Sequence, residues 1–342
     1  MARRLGAAAY GWLRAGLRFL VAIETGGFQM HVRVSQVRTE TDFRARRLRH
    51  LVVAVTLALI SGVAAAQALP ENAGQAIERG QALMAEALAT YDAQFPDRPL
   101  WRQAFAEGRT AVELAPGHPE PLRFLAEAYS RSNWPGPAVD AWQAFASAGG
   151  VMSPEDTDLF TRAGNEYAFA AYQQGNRQLA AERYGLVARL APGNVEAYRW
   201  IGRIMLELQM PEQAVAAWRT VLELDPDAEG AEYFLNLAQA QARWGVQPAN
   251  DFYAGIAAYE AGNLPQARNS FAAASARNSG FADAWAWLGR VNFEQGLYGD
   301  AHAAYSRALA IEPNNSNFQW FTQESERLMN TGPAEDEEED AG

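Results

Sequence analysis

Cysteine and lysine are both missing from this chain of 342 residues. Without cysteine there is no disulfide, no thiolate nucleophile, no cysteine zinc site and no lipid-bearing cysteine of a bacterial lipoprotein. Without lysine, all 29 cations are arginine, while alanine and glycine are plentiful, which reads as GC-rich coding bias and not as a binding signal. Histidine is almost as scarce: His31, His50, His118 and His302 show no ligand spacing, so no metal is expected. No glycine-rich phosphate loop follows a strand pattern and no G-x-S-x-G occurs, so no cofactor is expected either. Adjacent acids such as Glu155 and Asp156 are read as first-turn charges that favour the helix macrodipole. Nothing nominates a catalytic centre, and the chain is expected not to be an enzyme.

Positive charge is concentrated at one end. Residues 1–68 hold ten arginines and three acids, which leaves 19 arginines against 37 acids, a net of −18, for residues 69–342. An acidic body argues against nucleic-acid partners, whose backbone needs cations to displace its counterions. Within the basic end, residues 44–68 run from a basic stretch (RARRLR) through an apolar core, Leu51 to Ile60, to small residues ending Ala66-Gln67-Ala68. That order predicts a secretory signal cleaved after Ala68 or Ala66. An uncleaved anchor is the alternative, since Leu51 to Ala66 approaches the roughly 17 residues that span a bilayer. Residues 1–43 show no clear periodic element and are expected to contribute no folded domain, being either a genuine extension or sequence upstream of the true start.

A glycine in a helical context organises the rest. The stretch from Trp285 to Gly296, WAWLGRVNFEQG, reads as helix, yet Gly289 sits inside it, at a cost of roughly 1 kcal/mol relative to alanine. Close approach of a second helix explains it. Counted from Ala282, Trp285 is fourth, Leu288 seventh, Gly289 eighth, Ala301 twentieth, Tyr305 twenty-fourth, Ala308 twenty-seventh and Pro313 thirty-second. The pattern recurs at Pro248–Phe281 with Gly255, Ala267, Phe271 and Ala274, and at Val195–Ala228 with Tyr198, Ile201, Gly202, Ala214, Trp218, Val221 and Pro226. Thr161–Asn194 carries Tyr167, Ala168, Ala180, Tyr184, Val187 and Pro192, and Pro119–Met152 keeps Leu125, Ala126, Tyr129, Ala138, Trp142 and Phe145.

This 34-residue large/small pattern resembles the tetratricopeptide repeat, a pair of antiparallel helices closed by a proline. The expected fold is all-α, an α-solenoid of stacked antiparallel helix pairs. Units are expected at 119–152, 161–194, 195–228, 248–281 and 282–315, with a divergent amino-terminal unit at 73–118. Residues 229–247 supply an unpaired helix, 316–330 a capping helix and 331–342 a disordered acidic tail. Ser153-Pro154-Glu155 suits a helix cap and first turn, and should lengthen the helix that follows.

The resemblance implies a concave groove lined by the second, fifth, ninth, twelfth and thirteenth positions of each unit. Carried over, these are Arg123 and Arg131; Asn165, Phe169, Tyr172 and Gln173; Arg199, Arg203 and Leu206; Phe252, Ile256 and Tyr259; Arg290 and Phe293. Arg199 and Arg203 stand one turn apart and are able to grip a carboxylate, or else pair with Glu196 or Glu207 on their own helix. Family members that clamp peptide C-termini use basic and amide residues on three successive units, and here Glu127 and Glu166 occupy such places. The functional expectation is an exported scaffold of the periplasm or cell envelope that holds a protein or peptide partner in this groove. Its rivals are a membrane-anchored assembly factor and an envelope enzyme.

Overall fold

The computed structural model describes residues 20–26, 29–35 and 68–331. Most of the predicted signal segment, residues 44–67, and the acidic tail after Thr331 lie outside the described residues. The chain divides at Ala68 and Leu69 into two compact units, each described by itself. In the first, β1 (Leu20–Gly26) and β2 (Gln29–Ser35) form an antiparallel hairpin whose register pairs Leu20 with Ser35 and Gly26 with Gln29. Val21, Ile23, Thr25, Val32 and Val34 supply the β-branched residues that favour extended backbone. The opening segment therefore has a secondary-structure element where helical periodicity offered no signal.

The second unit, over its described residues, is all-α. Its fourteen helices are α1 (Glu71–Thr90), α2 (Pro99–Leu114), α3 (Pro119–Arg131), α4 (Pro135–Ser147), α5 (Pro154–Gln173), α6 (Arg177–Leu190), α7 (Val195–Glu207), α8 (Pro211–Leu224), α9 (Ala231–Trp244), α10 (Val246–Glu260), α11 (Leu264–Arg277), α12 (Ala282–Glu294), α13 (Tyr298–Ile311) and α14 (Ser316–Thr331). Each packs on its sequence neighbour, most extensively within the pairs α1–α2, α3–α4, α5–α6, α7–α8, α10–α11, α12–α13 and α13–α14. The first helices of successive units also approach one another, as α1 does α3, α3 does α5 and α7 does α9. Among the described residues no helix is long and apolar enough to cross a membrane.

Local chemistry sets the ends of the helices. Asn176, Asn194 and Asn263 accept from the backbone N–H three residues on and start α6, α7 and α11. Ser153 and Asp156 exchange bonds in a capping box ahead of α5, which runs for 20 residues. The turn between the two helices of a unit demands a left-handed residue at the fifteenth position. Glycine supplies it in three units, at 175, 262 and 296, but Asn133 and Gln209 supply it in the other two, with φ of 58° and 57°.

The glycine that opened the repeat is explained by a ring. A Cβ built on Gly289 would stand 2.8 Å from the Tyr305 ring, and one on Gly202 2.5 Å from Trp218 Nε1; Gly255 meets Phe271 in the same way. The eighth position is bare because the aromatic at the twenty-fourth lies flat against it. Tyr305 and Trp218 are 2% and 3% exposed, so these contacts are the core of their units. The rings then pass the packing forward: Trp218 stacks on Phe234 of α9 at 4.8 Å and Tyr305 on Phe321 of α14 at 4.9 Å.

Gly289→Leu is expected to cost about 1–3 kcal/mol by overpacking this contact. Arg290→Ala, on the exposed side of the same helix, should cost less, and thermal melts of the two variants make the comparison. Gln209→Gly should gain roughly 0.5–1 kcal/mol, because the left-handed conformation costs a side-chain-bearing residue more than glycine loses in unfolded-chain entropy. A fall in melting temperature for Gln209→Gly would show that its side chain is held by something other than the turn.

Candidate functional site

The residues expected to line the groove lie on α3, α5, α7, α10 and α12. Several residues expected to line it turn out to tie one unit to the next. Arg123 on α3 donates its Nε–H to Asp156 Oδ2 on α5 at 3.0 Å, with its Nη2 in ion-pair contact with Oδ1 at 2.9 Å. Arg131 pairs with Glu127 at 2.8 Å on its own helix and with Glu155 of α5 at 2.5 Å. The Tyr172 hydroxyl donates to Glu207 of α7 at 2.5 Å, and that of Tyr259 to Glu294 of α12 at 2.6 Å. These acceptors push both phenols above their ordinary range. Asn165 accepts from Asn194 at 3.4 Å.

Others remain open to solvent. Phe169 is 37% exposed and rests its ring on Trp200 at 5.1 Å and alongside Tyr172 at 6.2 Å. Gln173 is exposed, and Arg203 is exposed above the Trp200 ring at 5.6 Å. Half-buried Arg199 donates to the carbonyl of Glu229 at 3.2 Å. Neither arginine pairs with the acids on its own helix. Glu196 instead accepts from the Trp200 indole at 2.7 Å, while Glu207 accepts from Tyr172 and from Arg177. Arg199, Arg203, Glu196, Trp200, Trp218 and Phe234 together line a cleft of about 310 Å³.

Two residues of the expected row sit elsewhere. Phe252 is packed between units, its ring 5.6 Å from Phe271 and 4.9 Å from Phe281. Only Gly245 separates α9 from α10, so no inter-helix loop holds α9 away and Phe252 fills the interface with Trp244. Phe293 contacts Tyr298 and Phe321 of the last helices at 5.5 and 5.8 Å. Leu206 and Ile256 pack as half-buried core residues. Arg290 is paired with Glu294 at 3.0 Å and lies 5.1 Å from the Tyr259 ring.

Stepping along the chain in units of 34 residues hides a longer period. Tyr172, Tyr184, Trp200, Gly202, Arg203, Glu207, Trp218 and Phe234 recur 87 residues later as Tyr259, Phe271, Trp287, Gly289, Arg290, Glu294, Tyr305 and Phe321. Helices follow the same shift: α6, α7 and α8 begin and end 87 residues before α11, α12 and α13. So do the contacts. Tyr172 and Tyr259 touch Trp200 and Trp287 at 4.8 and 5.1 Å, and Tyr184 and Phe271 stack on the same two rings at 5.7 and 5.5 Å. Helices α5–α9 and α10–α14 thus form two versions of one five-helix module, with α9 in the first standing where α14 stands in the second. The repeated Trp and Glu of this lining were the residues that position counting alone did not select.

The tetratricopeptide repeat family profile matches residues 168–229 and 254–316, one segment in each module, so each module contains tetratricopeptide repeats. Among the curated proteins nothing matches it. Solved structures similar to it include that of MamA protein, 20% identical, with 50% of this chain and 89% of that one aligned at a TM-score of 0.24. YrrB, described as a TPR protein with an unusual peptide-binding site, is 16% identical over 65% of this chain and 98% of its own, at a TM-score of 0.28. PilF of Pseudomonas aeruginosa is 17% identical over 73% and 99%, at 0.26. Among the described residues, no three His, Cys, Asp or Glu residues are grouped to hold a metal ion.

The Arg123–Asp156 pair gives a pH-dependent prediction. Burial alone would raise the Asp156 carboxyl, but hydrogen bonds from Arg123 and Ser153 outweigh it and hold the group below its ordinary 3.8. The unfolded chain therefore takes up the proton first as pH falls. Stability contributed by the pair is complete above that ordinary value and drains away below it, as the pH passes through the lower folded value. Arg123→Ala should cost about 1–3 kcal/mol at neutral pH and should flatten the loss of stability below pH 3.8. Denaturant melts at pH 7 and pH 3 measure both.

Proposed function

We propose that this protein is an exported, non-enzymatic scaffold that holds a segment of a partner protein in the groove lined by α3, α5, α7, α10 and α12, in envelope assembly or secretion. Tetratricopeptide repeats act as protein-interaction scaffolds, and the inward face here offers what such a role needs. The observation that carries the reading is the surface around α5 and α7. Phe169 stays 37% exposed on an aromatic bed while Arg199 and Arg203 keep their charges free of carboxylates. Aromatic and arginine side chains dominate binding hot spots. Export is supported by the basic, apolar and small-residue order of residues 44–68, and by the helical unit beginning at Leu69, directly after Ala66-Gln67-Ala68.

The groove is tested with side chains that make no hydrogen bond or ion pair between units. Phe169→Ala combined with Gln173→Arg should weaken capture of the crosslinked partner about thirtyfold or more, with helicity and melting nearly unchanged. Deletion of the residues after Gly332 should leave capture intact; the reverse pattern would move recognition to the acidic tail. Sequencing of the native amino terminus should begin at Leu69 or Gln67. A membrane-bound protein that retains residues 51–66 would replace export by anchoring.

A further inference from the structure

A second cleft, of about 440 Å³, opens between α2 and α4 over α3 and shares no residue with the row expected to line the groove. Its walls are Val112, Leu122, Leu125, Tyr129, Pro137 and Ala141, and three exposed charges, Arg109, Glu113 and Asp140, complete the lining. The same seam recurs further along the chain. Helix α2 ends, α3 begins and ends, and α4 begins 76 residues before α6, α7 and α8 do so, and Leu114-Ala115-Pro116-Gly117 returns as Leu190-Ala191-Pro192-Gly193. At this interval Val112 becomes Ala188 and Leu122 becomes Tyr198. The Tyr198 ring crosses from α7 to α6, with its hydroxyl 3.5 Å from the Ala188 carbonyl, and the unit from Ala282 has Trp285 at the same fourth position. Leu122 carries no ring, and the seam it serves is open. The charges differ as well. Where Tyr198 closes the seam, the places of Arg109, Glu113 and Asp140 are taken by Gly185, Arg189 and Ala216. At the open cleft none of the three charges has a hydrogen bond or ion pair among the described residues, and two acids against one arginine leave an excess of one negative charge at its mouth.

We infer that the α2–α4 cleft receives an aromatic side chain of a partner protein, tryptophan or tyrosine, from a segment that carries a basic residue beside it. The incoming ring takes the place that Tyr198 fills from within the chain, so the partner completes a unit whose own fourth position leaves it unfilled. Burying the ring among aliphatic walls supplies the affinity, since one aromatic side chain removes roughly 150–250 Å² from water. Glu113 and Asp140, exposed at the mouth, select the neighbouring cation and add little strength. The inference is independent of the groove reading, because Arg123 and Arg131, the groove residues of α3, take no part in the cleft.

The test uses the full chain with labelled leucine and valine methyl groups, and follows Val112, Leu122 and Leu125 by nuclear magnetic resonance as short peptides blocked at both ends are added. The probes share an alanine-serine background and carry at their centre Trp-Arg, Ala-Arg or Trp-Glu. The Trp-Arg probe should move these methyl signals to saturation. The Ala-Arg probe should bind about thirtyfold more weakly or not at all, and the Trp-Glu probe about threefold more weakly. Leu122→Trp, which fills the cleft from within, should abolish the response of Val112 and Leu125 and leave the melting temperature equal or higher. Glu113→Gln combined with Asp140→Asn, both at exposed positions, should keep binding and erase or reverse the preference for Trp-Arg over Trp-Glu. Equal binding of the Ala-Arg probe, or undiminished binding to Leu122→Trp, overturns the aromatic site. A lower melting temperature for Leu122→Trp does the same, since it shows that the cleft has no room for a ring. A preference for Trp-Arg that survives the double substitution overturns the role of the two acids. Trp320 is 55% exposed, and self-association lost alike in Trp320→Ala and Leu122→Trp would seat a second copy in the cleft and overturn the assignment to a partner.

Discussion

Where the Trp218 ring lies against Gly202, and Tyr305 against Gly289, the two helices of a unit stand closer than any side chain at the eighth position would permit, and every later placement follows from that spacing. The ring fills the space between its own two helices and presents its far side to the next first helix, as Trp218 does to Phe234 and Tyr305 to Phe321. Burying such a ring supplies much of a unit's stability, since aromatic side chains remove 150–250 Å² each from water. It also brings successive first helices near enough for side-chain ties such as Tyr172 to Glu207 and Tyr259 to Glu294. The groove is a by-product of the core. Its lining faces inward because the second helices, which carry the rings, stand behind.

Helix pairing was legible in the sequence because its cause is local and repeated. Glycine or alanine at the eighth position, an aromatic sixteen residues on and a proline near the end leave a trace that survives without any three-dimensional knowledge. The cap was legible for a similar local reason at Ser153-Pro154, where α5 begins, though the return bond with Asp156 was not. The hairpin of β1 and β2 was not, since a search tuned to helical periodicity passes over two short strands.

The lining was legible as a set of positions and not as a set of partners. Counting placed Phe169, Tyr172, Arg199 and Arg203 on inward faces, but which acid meets which arginine depends on neighbouring units. Searching four residues either way offers Arg203 the carboxylate of Glu207; in space Arg177, from the preceding unit, reaches it first. Asp156 likewise lies in the insertion between two units and meets Arg123 across them. Phe252 fails for a related reason: its position in the unit is inward only where a complete unit precedes, and what precedes is α9 alone.

The place of α9 carries a consequence for the history and the length of such a chain. In the second module the corresponding helix, α14, is the last one described and covers the final ring, Tyr305, with Phe321. In the first, α9 covers Trp218 in the same manner, yet a whole further module continues from it through Gly245. What recurs is therefore not a bare repeat but a repeat pair with its own lid. A segment that carries its lid with it closes its own apolar end, so removing the next one would leave no ring in water. Each module is thus a sealed length of stack, and the charges along one need not repeat those along the other, as Arg177 and Leu264 show.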